Sequence, residues 1–223
     1  MTDRLLLCLI QALGSENMQV KILKSGYYIA SANCYGILSD DAAVVVDCGK
    51  YDEKIAQFLN KNSDKARLIL LTHAHFDHIG GANKLRENTG APIAIGKTES
   101  YNMCDPEYNF SSRLRNKVKP FSPDYVIEDE QTVTVGDLKI KAYEMPGHTK
   151  GSMVYFVENN LFSGDVLFKQ SIGRTDLVSG NDEEMRASLE RIMWLFDDSV
   201  KVYPGHDDIT TIGAERKYNP YLR

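Results

Sequence analysis

Residues 68–83 read Leu-Ile-Leu-Leu-Thr-His-Ala-His-Phe-Asp-His-Ile-Gly-Gly-Ala-Asn, and they constrain the chain more than any other stretch. The apolar run predicts a short buried strand. His73, His75, Asp77 and His78 follow at once, so a fold that buries the strand must deliver four metal-grade side chains at its end. On extended backbone, alternate residues share a face, which points His73, His75 and Asp77 one way and His78 the other. A helix opening at Gly80 lets Asp77 and His78 face a second position. Two adjacent metals therefore suit the spacing better than one crowded ion. The donors are nitrogen and oxygen, which fits zinc, iron or manganese with positions left open for water; a closed structural zinc would more typically use cysteines.

The other candidate ligands also follow predicted strands. His148 lies in Glu144-Met145-Pro146-Gly147-His148-Thr149, Asp165 in Phe162-Ser163-Gly164-Asp165, and His206 in Tyr203-Pro204-Gly205-His206-Asp207. Each has a glycine immediately before it, expected to let the backbone turn sharply and aim the side chain. A lone histidine is more often a surface or core residue than a ligand. Here the chain has 5 histidines, and every one falls in this pattern.

The remaining sequence reads as an ordinary globular chain. Its 43% hydrophobic and 26% charged residues can build a core, and a net charge of −5 argues against nucleic acid as the main partner. Cys8, Cys34, Cys48 and Cys104 form no C-x-x-C pair, and read as reduced, mostly buried thiols of a cytoplasmic protein. Arg4 precedes an apolar run over 5–10 that is too short to span a membrane and is not followed by a small-x-small cleavage site. Residues 1–17 are read as an N-terminal extension, a docking helix or the product of an upstream start codon, and 18–223 as a single domain.

Strands are expected over 19–24, 27–30, 34–38 and 42–47, with a turn at Ser25-Gly26. A helix over 53–61 is capped by Asp52. Strand 68–71, helix 80–87, strand 92–95 and helix 97–103 follow, then an irregular segment over 104–124. Hairpins are expected at 131–142 and 153–163. The longest helix covers 182–196, with Met185, Leu189, Ile192, Met193 and Phe196 at core spacing. A strand over 200–203 and a helix over 213–218 close the chain. This order of strands and helices predicts an α/β fold, an αββα sandwich of two packed mixed sheets with helices outside.

H-x-H-x-D-H, then G-H, then G-D, then P-G-H resembles the metallo-β-lactamase superfamily from about Met18 onward. Asn33-Cys34-Tyr35, Asp105-Pro106-Glu107, Ser171-Ile172-Gly173-Arg174-Thr175-Asp176, Thr210-Thr211-Ile212-Gly213 and Asn219-Pro220 are similar to its glyoxalase II (hydroxyacylglutathione hydrolase) branch, in the short bacterial form without a C-terminal helical domain. The resemblance implies that His73, His75 and His148 hold one metal and Asp77, His78 and His206 the second, with Asp165 bridging. It implies two divalent ions, zinc first and iron or manganese as alternatives. Asp77, Asp165 and His206 then belong to the catalytic machinery. Asp47 resembles the family aspartate that orients a ligand histidine; a turn-forming aspartate at a strand end is the other reading.

The implied reaction is attack by a metal-bridging hydroxide on a thioester carbonyl with departure of a thiolate, the ions about 3.5–4 Å apart. The substrate is a small thioester, glutathione-linked by resemblance, although the branch's C-terminal basic glutathione residues have no counterpart here. Arg174 matches a family cation that could clamp a substrate carboxylate, or it pairs with Asp176. Arg113, Arg115, Lys117 and Lys119 read as a solvated charge run rather than an anion-attracting lid. Persulfide dioxygenases share the Gly-Arg-Thr-Asp segment and hold one iron at positions equivalent to His73, His148 and Asp165; Pro-Gly-His at His206, where they tend to have Pro-Ala-His, favours the hydrolase. A lactonase or other metallo-hydrolase on the same fold is the further alternative.

Overall fold

A computed structural model describes residues 17–24 and 32–222. The expected turn at Ser25-Gly26, the strand over 27–30 and nearly all of the extension over 1–17 lie outside the described residues. Two six-stranded sheets face each other. The first runs β1 (Gln19–Lys24), β2 (Cys34–Leu38), β3 (Ala42–Val46), β4 (Ala66–Leu71), β5 (Ile93–Gly96) and β6 (Tyr125–Ile127) in sequence order. Its first three strands are antiparallel and its last four parallel. The second contains β7 (Thr132–Val135), β8 (Leu138–Glu144), β9 (Met153–Val157), β10 (Asn160–Gly164), β13 (Lys201–Pro204) and β14 (Thr210–Thr211), in the spatial order β14-β13-β10-β9-β8-β7. A small ribbon of β11 (Leu167–Phe168) and β12 (Ser171–Ile172) stands apart.

The layers follow from side-chain alternation along each strand. Val44 and Val46 on β3, with Leu68 and Leu70 on β4, meet Tyr155, Val157 and Phe162 of the second sheet. Their neighbours Ala43, Val45, Ile69 and Leu71 face the other way. There they bury Ile55, Phe58 and Leu59 of α1 (Glu53–Asn60), and Leu85 of α3 (Ala82–Thr89). On the far side, Val154, Leu161 and Val202 pack against Met185, Leu189, Ile192 and the following Phe196 of α5 (Asp182–Leu195). Helices thus lie outside two facing sheets, which is the expected αββα sandwich.

Local chemistry sets the element ends. Asp52 accepts from Lys54 N at the start of α1, and Asn181 accepts from Glu183 N and Glu184 N at the start of α5. The hairpin between β9 and β10 turns on Glu158 and Asn159, both at positive φ (52° and 67°), as a tight turn between twisted strands requires.

Three expectations need correction. The helix expected over 80–87 begins two residues later, as α3, and is preceded by a one-turn α2 (Phe76–Ile79); the two meet at Gly80-Gly81, which pack onto the backbone of residues 49–51. The helix expected over 97–103 stops regular winding after α4 (Lys97–Ser100) and continues as turns. β6 lies beyond the segment read as irregular, and its short sequence Tyr-Val-Ile becomes a strand only by pairing with β5. The last helix, α6 (Ile212–Tyr218), is close to its expected span.

Candidate metal centre

Asp47, His73, His148, Asp165 and His206 follow the C-terminal ends of β3, β4, β8, β10 and β13. β3 runs parallel to β4 and β10 parallel to β13. β8 shares the direction of β10 because both are antiparallel to β9. All five ends therefore open on one edge of the sandwich. Hydrogen bonds fasten the sheets together there. Tyr155 Oη donates to Leu71 O at 2.7 Å, Tyr35 Oη to Pro204 O at 2.7 Å and Asn33 Nδ2 to Pro204 O at 3.0 Å.

At that edge the seven predicted ligands converge: His73, His75 and His148 form one group, Asp77, His78 and His206 another, and His73, His78 and Asp165 a third that joins them. His73 Nε2 and His148 Nε2 lie 3.1 and 2.9 Å from His75 Nδ1. Asp77 Oδ2 lies 3.2 Å from His206 Nε2 and 3.9 Å from His78 Nε2. Asp165 stands between the groups. Its Oδ2 is 3.4 Å from His148 Nε2 and 3.5 Å from His206 Nε2, and its Oδ1 is 3.2 Å from His78 Nε2. His78 Nε2 and Asp165 Oδ1 are buried without a hydrogen-bond partner, a costly state that a cation between them relieves. Nitrogen and carboxylate donors converging with unspent lone pairs fit divalent metal ions.

Two of the glycines before ligands take positive φ, Gly147 at 140° and Gly164 at 49°, as the expected sharp turns require. Gly205 does not, and is glycine for space. A Cβ there would lie 2.1 Å from Asp165 Oδ1 and 2.7 Å from His78 Cε1.

The surroundings set which nitrogen each ring presents. Asp47 Oδ2 lies 2.8 Å from His78 Nδ1, and the same oxygen accepts from Thr72 Oγ1 at 2.8 Å. Thr72 Oγ1 is in turn 3.1 Å from His73 Nδ1. His148 Nδ1 donates to Arg174 O at 2.8 Å. Each contact holds a proton on Nδ1 and turns the Nε2 lone pair inward. Asp47 itself sits at φ 56°, so it combines both roles considered for it, the strand-end turn and the histidine partner.

Electrostatics divide the cluster. Burial, reinforced by neighbouring histidines, holds His73 well below the usual imidazole range and pushes His75 down to about 3; burial also lowers His148. The same burial acts on His78 and His206 but is outweighed by Asp165, Asp77 and, for His78, Asp47, so both are raised. Asp77 and Asp165 are lowered because those histidines overcome the cost of burial.

Glu99 is the residue that sequence reasoning missed. It is fully buried on α4, and accepts from Ala74 N at 2.7 Å, Tyr108 Oη at 2.8 Å and Gly151 N at 3.0 Å. One carboxylate thus ties the backbone between His73 and His75 to the loop that carries His148. Its signal in the sequence is nil, since it sits 25 residues from Ala74 and 52 from Gly151.

The cluster forms the floor of a cavity of about 620 Å³. Phe110, Leu114, Phe168, Ile172 and Leu177 supply apolar walls, and Arg113 and Arg174 are also on its lining. Arg174 makes a bidentate pair with Asp176, 2.7 Å at each contact. The charge run over 113–119 is exposed, as expected, but Arg113 stacks over Phe110, 5.2 Å from the ring centroid, on the cavity wall. Of the described cysteines, Cys34 and Cys48 are buried and Cys104 is exposed. Among the described residues no helix is long and apolar enough to cross a membrane.

The chain is similar to known proteins along most of its length. "Probable metallo-hydrolase YqgX" of Bacillus subtilis is 35% identical over 86% of this chain and 92% of its own length. "Hydroxyacylglutathione hydrolase GloC" of Haemophilus influenzae is 31% identical over 85% of this chain and 92% of its own. Among solved structures, the BLEG-1 B3 metallo-beta-lactamase superposes with a TM-score of 0.82 at 37% identity, covering 92% of this chain and 99% of its own. TTHA1623 in a di-iron-bound form superposes at 0.75 and 28% identity, covering 91% of this chain and 100% of its own. The profile of the metallo-beta-lactamase superfamily matches residues 28–206, and the chain belongs to that superfamily.

Proposed function

We propose that the chain is a two-metal hydrolase that cleaves thioesters. The single observation that carries this reading is the pair of donor groups sharing Asp165 at the floor of one cavity. In this reading His73, His75 and His148 would hold one ion and Asp77, His78 and His206 the other, with Asp165 lying between the two sets. Bound divalent ions would supply a water activated near neutral pH and polarise the scissile carbonyl. The chain's own residues do the rest. Asp47, Thr72 and the Arg174 carbonyl keep the ligand rings aimed. Phe110, Phe168, Ile172 and Leu177 exclude water around the acyl group. A thiolate is a good leaving group, so no side chain need act as a strong acid.

The hydroxyacylglutathione hydrolase among the relatives supports a thioester. Zinc is the first choice of metal by ligand chemistry, and the di-iron neighbour keeps iron in play. The B3 metallo-beta-lactamase neighbour favours β-lactam hydrolysis as the second reading. The deciding experiment runs metal-quantified protein on S-lactoylglutathione, on a chromogenic cephalosporin and on glutathione persulfide with an oxygen electrode. Two metal equivalents with thioester turnover are expected. One tightly bound iron with persulfide-dependent oxygen uptake would overturn the proposal, as would turnover of the cephalosporin alone.

A further inference from the structure

Beside the metal cavity lies a second opening, of about 610 Å³, between α3 and the segment over 114–121. Lys50, Lys84, Lys117 and Lys119 all line it, against Glu87 as the one acid on the wall. The imbalance is unusual in a chain of net charge −5. Among the described residues none of the four ammonium groups has an ion-pair partner, so their charges stand un-neutralised around one concavity. Lys84 Nζ lies 4.6 Å from the centroid of the Tyr51 ring, which directs its charge without neutralising it. Phe76 and Leu114 line both openings, so the lysine cleft and the metal cavity meet at these two side chains. Phe76 stands between His75 and Asp77 in the chain.

We infer that this cleft holds the anionic tail of the substrate's thiol carrier, its acyl end lying over the metal cluster. The attraction is electrostatic. Unpaired cations around one concavity focus a positive potential, and draw in a phosphate or carboxylate more strongly than an isolated surface lysine does. A ligand short enough to sit within the metal cavity has no use for the cleft; a long carrier reaches across Phe76 and Leu114 into it. This inference rests on the thioester reading and adds what that reading leaves open, the charge of the part that does not react.

The test compares the metal-loaded chain with its Lys84→Glu/Lys117→Glu variant. Both positions are exposed, so the variant is expected to fold. Three thioesters of one acyl group are used, carried by N-acetylcysteamine (a neutral tail), glutathione (carboxylates) and coenzyme A (phosphates). The expected result is a KM about tenfold higher for an anionic carrier, with kcat and the neutral carrier's KM unchanged. Which anionic carrier responds tells phosphate from carboxylate. An unchanged ratio of anionic to neutral KM overturns the inference. If the unmodified protein turns over no thioester, the parent reading has failed, and calorimetric binding of glutathione and coenzyme A decides the cleft alone. Binding weakened in the variant supports it; equal binding, or none to either protein, overturns it.

Discussion

The two halves of the metal centre are built from the same imidazole chemistry and behave in opposite ways. In the three-histidine half, burial lowers His73, His75 and His148, so all three are neutral imidazoles near pH 7 with lone pairs already free. In the acidic half, Asp77, Asp165 and Asp47 raise His78 and His206 against the same burial. There the carboxylates favour the protonated form of each ring, a positive charge that a divalent cation would supply instead. A ligand set is therefore more than a roll of donors. As a metal site, the first half would need no proton loss, and the second would have to release protons to accept an ion.

The contrast can be broken most severely at the shared residue. Asp165→Ala is expected to lower activity by orders of magnitude and to reduce bound metal below the unmodified level, measured by atomic spectroscopy beside turnover. Full metal content in that variant would mean the halves do not share a carboxylate. Gly205→Ala comes next. A methyl 2.1 Å from Asp165 Oδ1 must push that carboxylate aside. We expect loss of metal from the acidic half, with activity about 100-fold lower or worse. An alanine variant of undiminished metal content and activity would show that the backbone gives way instead.

A subtler pair separates the halves from behind. Asp47 touches His78 of the acidic half directly and reaches His73 only through Thr72, whereas Glu99 ties together the segments of the three-histidine half. Asp47→Asn should weaken metal binding at the first of these sites, and Glu99→Gln at the second, each by about 10–100-fold. Gln fails because its amide nitrogen cannot accept the hydrogen bonds a carboxylate oxygen accepts. Chelator competition in His206→Ala and His75→Ala backgrounds assigns each loss to its half. Equal losses in both backgrounds would dissolve the distinction.

The mildest effect is with pH. Raised histidines hold their protons to higher pH, so metal affinity of the acidic half should fall as pH drops through the raised values, above about 6.5. The three-histidine half, whose histidines titrate lower, should keep its metal to more acidic pH. Metal retention followed from pH 8 to 5 in the same two backgrounds reads this directly. Coincident release curves would contradict the electrostatic division.

Much of this site is legible in the amino-acid sequence. The candidate ligands are visible there because metal chemistry needs rare residue types, and all 5 histidines stand in short motifs at strand ends. The strands are visible because burial leaves a pattern, a continuous apolar run in strands covered on both faces such as β4 and β9, and alternation in β8. Less can be read where contact replaces pattern. β6 is too short to announce itself, and exists through its pairing with β5. The helix opening at Phe76 is hidden because His75, Asp77 and His78 read equally well as extended chain.

The sequence by itself determined the candidate donors, the layered fold and the edge at which those side chains emerge, since each depends on residue type and local period. The tertiary structure supplied the distances behind the sharing of residues 73–78 that the family resemblance implies. His73 and His75 join His148, Asp77 and His78 join His206, and Asp165 stands between, because three distant strand ends are brought to one edge by sheet pairing. It also decided the protonation contrast. Burial is common to every ring, and the winner at each is set by which carboxylates the fold places beside it.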